Sequence, residues 1–152
     1  MKNIFFYQTN IGEIGIVENK GAITNLFIKR ECIPQEVFVK ETAVLKEAGK
    51  QLMDYLTGKR KSFALPLAPK GTEFQQKVWR ALQEIPCGET RSYGDVARSI
   101  GQPKASRAIG MANNKNPILI LIPCHRVVGA NGKLVGYAAG LQVKEYLLKL
   151  EK

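Results

Sequence analysis

The sequence predicts an α+β fold in two units: a small N-terminal antiparallel sheet with one helix, then a mostly helical, winged-helix-like unit carrying a helix-turn-helix. Three observations predict it. Short apolar runs punctuated by turn residues fill positions 1 to 28. After Glu41 the apolar spacing changes to a helical one. The stretch from Pro66 to Gly71 then interrupts regular structure and separates residues 1–69 from residues 70–152.

Within the first unit, Ile4 to Tyr7, Ile14 to Val17 and Ile23 to Ile28 read as strands, with Asn19-Lys20-Gly21 as the turn between the last two. Leu45, Ala48, Leu52, Tyr55 and Leu56 fall on one helical stripe between Glu41 and Thr57, and Gly58 can end that helix. The second unit opens on Thr72-Glu73-Phe74-Gln75, a T-x-x-Q capping box whose side chains can satisfy unpaired amides at a helix start. Phe74, Val78 and Leu82 are its expected buried face. Ser92 reads as the cap of a short helix to Ser99; Gly101 turns the chain, and Pro103 is the expected first residue of the next helix. On that second helix Lys104 and Arg107 stand among Ala105, Ser106, Ala108 and Gly110, a thin surface with few bulky groups. Pro117 and Pro123 bracket Ile118-Leu119-Ile120-Leu121-Ile122, expected to be a buried extended segment that delivers Cys124 from the core. Leu141 to Leu150 reads as a final amphipathic helix.

Composition narrows the function. No run approaches the roughly 18 to 20 apolar residues of a membrane span, and the N-terminal residues show no secretory pattern, so a soluble, cytoplasmic protein without a membrane partner is expected; it is also expected to be a monomer. Cys32, Cys87 and Cys124 are odd in number and lack a C-x-x-C pair, which argues against a disulfide framework or a zinc knuckle. Cys32 and Cys87 read as structural, and no metal or cofactor is implied. The net charge of +10 favours a polyanionic partner. Residues 70 to 152 hold 13 Lys and Arg against 6 Asp and Glu, a net +7, compared with +3 for residues 1 to 69. The second unit is therefore the expected nucleic-acid face.

His125 is the sole histidine and directly follows Cys124. A thiol becomes a strong nucleophile when a base takes its proton, and an adjacent imidazole oriented by an acid can do so near neutral pH. A Cys-His pair by itself is more often a buried cysteine beside a solvated histidine. The wider string changes that balance. Asn116-Pro117 and Pro123-Cys124-His125-Arg126-Val127-Val128 resemble the active-site signature of the O6-alkylguanine-DNA alkyltransferases. Phe74 to Trp79, Ile85 to Thr90, Ser92-Tyr93-Gly94, Ser106 to Gly110 and Gly136-Tyr137 through Leu141 follow the same family in order, so the resemblance covers residues 72 to 151.

The resemblance implies a single-turnover DNA repair protein: a methyl or other alkyl group passes from O6-alkylguanine, and from O4-alkylthymine, to Cys124. It implies that His125 activates Cys124 through a water, that Glu151 holds the imidazole, and that Asn116 joins the network. Tyr93 would donate to guanine N3, the carbonyls of Cys124 and Val127 would accept the exocyclic amine, and the Ala138 amide would face O6. Ser92, Tyr93, Lys104, Ser106 and Arg107 would contact double-stranded DNA through the minor groove, with Arg107 filling the space of a flipped nucleotide. Relatives often carry a second glycine where Ala139 stands, so its methyl bears on which adducts fit. Three rivals share parts of this pattern. An alkyltransferase-like recognition module lacks the acceptor cysteine; a helix-turn-helix regulator needs base-reading side chains where Ala105, Ala108 and Gly110 stand; a cysteine hydrolase would turn over repeatedly.

Overall fold

The computed structural model describes residues 1–28 and 33–152, so the reading of Cys32 as structural lies outside the described residues. The chain divides into two compact units, Met1–Lys70 and Gly71–Lys152.

In the first unit β1 (Lys2–Thr9), β2 (Gly12–Asn19) and β3 (Ala22–Phe27) form an antiparallel meander. Lys20 and Gly21 turn β2 into β3 with φ of 53° and 84°, the left-handed pair that matches the twist of a two-residue hairpin. The Glu18 carboxylate fixes this turn by accepting the Gly21 amide at 2.9 Å. A fourth strand, β4 (Val37–Val39), pairs in parallel with β1, giving the order β3-β2-β1-β4. The sheet is thus mixed rather than wholly antiparallel. Three residues are too few for alternation to register, and a parallel neighbour leaves no hairpin turn to read.

Helix α1 (Ala43–Leu56) buries Leu45, Ala48, Leu52, Tyr55 and Leu56, the stripe expected from their spacing. Gly49 lies on the same face because a Cβ there would stand 2.5 Å from the Tyr7 ring. Glycine therefore permits the close approach of α1 to β1, where the Tyr7 hydroxyl also donates to the Leu45 carbonyl at 2.8 Å.

The second unit begins with α2 (Glu73–Gln83), and both halves of the Thr72/Gln75 capping box form. Val78, Trp79 and Leu82 are its buried side chains, whereas Phe74 is only half-buried. Phe74 lies in the first turn of α2, while the Trp79 indole donates to the Ala112 carbonyl at 3.0 Å, which satisfies its N–H inside the core. A two-residue strand, β5 (Arg91–Ser92), leads into α3 (Tyr93–Ser99), capped reciprocally by Ser92 and Asp95. Gly101, with φ of 76°, turns the chain toward α4 (Ser106–Asn114). Pro103 is not the first helical residue: it and Lys104 lie in a turn, and α4 starts three residues later. The Ala105 amide donates to Gln102 there, closing a separate turn before the helix.

The run from Ile118 to Ile122 is buried but not extended. It closes into a tight turn in which the Ile122 amide donates to Ile118 at 3.0 Å and Ile120 takes φ of 70°. Asn116 clips both ends: its amide donates to the Ile122 carbonyl at 2.8 Å, and its oxygen accepts the Ile118 amide at 3.0 Å. The turn exits into a single 3₁₀ turn, Cys124–Arg126, then β6 (Val127–Val128), which pairs in parallel with β5. Helix α5 (Leu141–Leu150) follows, with Glu151 as its C-cap. Among the described residues, no helix is long and apolar enough to cross a membrane.

Candidate active site

Cys124 emerges from the Asn116-clipped turn at the start of the 3₁₀ segment and is 1% exposed. Burial pushes its thiol up to about 11, while the Asn116 side chain and the Lys144 ammonium pull it back down. The resting group is a thiol. Deprotonation at neutral pH needs a base.

His125 is fully buried beside it. Burial, the largest influence, holds the imidazole below its ordinary pKa of 6.5 and outweighs the opposing effect of Glu151. A neutral ring carries one N–H, and the 2.7 Å contact between Nε2 and Glu151 Oε2 assigns that proton to Nε2. Nδ1 then keeps its lone pair and is buried without a hydrogen-bond partner among the described residues. The site therefore contains an unprotonated nitrogen on the residue adjoining the thiol.

Glu151 is itself held. Arg126 donates from Nε to Oε1 and from one terminal nitrogen to Oε2, both at 2.9 Å, and its other terminal nitrogen donates to the Ile85 carbonyl at 2.6 Å. This planar fork fixes the carboxylate that fixes His125. Sequence reasoning quoted Arg126 within the motif and gave it no task.

Lys144 was also missed. It lies on α5 with Leu147 and Glu151 on the buried stripe, where the helical spacing would have revealed a lysine on an apolar face. Its ammonium donates to the carbonyls of Val127 at 2.6 Å and Val135 at 2.7 Å. It thereby joins β6 to the loop preceding α5. Burial lowers its pKa, and Cys124 opposes that shift once it is ionised.

Tyr93, at the start of α3, is half-buried. Burial and, secondarily, Cys124 raise its pKa, so the phenol remains a proton donor at neutral pH. Among the described residues, its hydroxyl donates at 3.5 Å to the Val135 carbonyl. Val127 is buried in β6, and Ala138 is exposed in the turn closed by Gly140 and Tyr137. Ser92 is half-buried and uses its hydroxyl oxygen to cap α3. Lys104 and Arg107 are exposed, and Ser106 is half-buried at the first position of α4. Cys87 is half-buried after α2. Among the described residues, no group of three or more His, Cys, Asp or Glu side chains could hold a metal ion.

The model of the 6-O-methylguanine DNA methyltransferase DNA-binding domain matches residues 73–152, and that of the ribonuclease-like domain of the same protein matches residues 5–69. The chain belongs to the 6-O-methylguanine DNA methyltransferase family. Curated relatives agree with the family models. A methylated-DNA–protein-cysteine methyltransferase of Methanosarcina acetivorans is 58% identical over 81% of this chain and 79% of its own length. The constitutive enzyme of that name from Bacillus subtilis is 48% identical over 95% of this chain and 92% of its own. Among solved structures, Mycobacterium tuberculosis OGT in complex with DNA superposes with a TM-score of 0.93 at 42% identity, covering 98% of this chain and 92% of that one.

Proposed function

We propose that this family member repairs double-stranded DNA in one step, transferring the alkyl group of O6-alkylguanine to Sγ of Cys124. The observation that carries the reading is the pairing of His125 Nε2 with Glu151, which leaves Nδ1 unprotonated on the residue next to the buried thiol. His125 takes the thiol proton through a bridging water, and Sγ attacks the alkyl carbon in line with the bond to O6. The S–C bond forms as the C–O6 bond breaks. Its electron pair stays with the purine, which regains a proton, while Tyr93 donates to N3 and lowers the cost of the developing charge. The thioether has no route back to a thiol, so each molecule acts once.

The same chemistry extends to O4-alkylthymine. In this reading the DNA lies against α4 through its minor groove, where small residues surround Arg107 and let the backbone approach closely. Arg107 fills the space of the extruded nucleotide. Lys104, Ser92 and Ser106 contact the surrounding backbone, and the Ala138 amide faces O6. The protein acts as a cytoplasmic monomer.

Intact-protein and peptide mass spectrometry after incubation with a stoichiometric O6-methylguanine duplex tests this function. One methyl on the peptide containing Cys124, with guanine restored and no transfer by Cys124→Ser, is expected. Tight duplex binding with an unchanged protein mass would refute it.

A further inference from the structure

We propose that Met111 is an apolar wedge on α4, which unstacks the base step beside the target nucleotide and so lowers the cost of turning it out of the duplex. Met111 is 66% exposed. It lies four residues after Arg107 and three before Asn114, so the three side chains share one face of α4. That face points away from Ile109, Ala112 and Asn113, the buried residues of the helix. A single exposed methionine is ordinary on a protein surface. The surroundings set this one apart. Arg107 and Asn114 are exposed and polar, and Ala108 and Gly110 are small, whereas Met111 is long and apolar.

The same face borders the site. A Cβ on Gly110 would stand 3.7 Å from the Tyr93 ring, and a Cβ on Gly136 would stand 3.3 Å from Asn114 Oδ1. Tyr93 and the loop that carries Ala138 thus both meet α4 within one turn of Met111. Along the helix axis Arg107 and Met111 are about 6 Å apart, a span of about two base-pair steps. Minor-groove proteins insert apolar side chains, methionine among them, between base steps and unstack them. By burying its own apolar surface there, Met111 offsets part of the stacking lost when the nucleotide leaves. An unbranched thioether is slim and bends to fill an irregular gap. Arg107 fills the vacated space, and Met111 loosens the stack next to it.

The inference rests on the reading of α4 as the helix laid in the minor groove. Single-turnover methylation of Cys124 is measured at saturating protein with an O6-methylguanine duplex and with the same lesion strand unpaired. Met111→Ala is expected to slow transfer from the duplex about tenfold, the scale of burying part of one apolar side chain. Transfer from the single strand, which has no duplex stack to open, is expected to stay within about twofold of the wild type. Met111→Leu, similar in volume and apolar, is expected to restore the duplex rate. A 2-aminopurine beside the lesion reports unstacking directly. Its fluorescence is expected to rise when Cys124→Ser binds the duplex and to rise less with the Cys124→Ser, Met111→Ala double variant. Equal slowing on both substrates would reduce Met111 to a support for the site and overturn the proposal, as would an unchanged duplex rate. Failure of both substrates to methylate wild-type Cys124 would instead defeat the alkyl-transfer reading.

Discussion

Replacing Glu151 with glutamine removes one charge from a carboxylate that receives His125 Nε2 and two nitrogens of Arg126. The guanidinium would remain buried with the Ile85 carbonyl as its retained acceptor and at most one oxygen of the new amide. Breaking a buried ion pair by removing one partner costs about 3–5 kcal/mol. One recovered hydrogen bond offsets about 1 kcal/mol. The net loss of about 2–4 kcal/mol corresponds to a fall in Tm of about 5–15 °C for a chain of this size. The transfer rate is expected to drop by about 100-fold as well, because the imidazole loses the contact that sets its tautomer and direction. Trp79 is the sole tryptophan and is buried in the second unit, so its fluorescence follows unfolding of the unit that contains Glu151. Methylation is then measured well below the variant's Tm. A variant that melts within about 2 °C of the wild type and transfers within about threefold of its rate would refute the role given to Glu151.

Tyr93→Phe is expected to slow methyl transfer by about tenfold or more while moving Tm little, since the contact its hydroxyl makes with the Val135 carbonyl is long, at 3.5 Å. Large destabilisation would show that the phenol serves the fold. Iodoacetamide labelling of the DNA-free protein at Cys124 is expected to be slow at neutral pH and to rise with pH toward its pKa of about 11. A plateau by pH 8 would contradict the buried-thiol picture. His125 titrates below 6.5 in the folded chain, so the unfolded state binds the proton first. Its contribution to stability is therefore complete above about pH 6.5 and lost as pH falls from there through the folded value. Denaturant titrations between pH 5 and 8 are expected to show that slope, and His125→Asn to flatten it.

Local chemistry was the most legible part of the sequence. The Thr72/Gln75 and Ser92 caps place their partners three residues away, and the Lys20-Gly21 hairpin is two residues long, so short-range pattern suffices. The turn at Ile118–Ile122 was not legible because branched apolar residues favour extension; the force that closes it comes from Asn116, outside the run. The pairing of His125 with Glu151 joins residues 26 apart, beyond the reach of any local rule, and came into view through the family resemblance. Lys144 and Arg126 escaped because a lysine or arginine in a basic chain reads first as surface charge. Their burial depends on carbonyl and carboxylate acceptors supplied by distant segments.

That separation also sets an order of events during synthesis. Cys124 and His125 leave the ribosome before Glu151, which follows His125 by 26 residues. At about 5–20 residues per second the interval is about one to five seconds. Throughout it the nascent chain holds its thiol and imidazole without the carboxylate that directs them. In the function proposed above, the thiol therefore acquires its activating pair only when α5 docks, after the Ser92 to Arg107 segment given the DNA contacts has already been made.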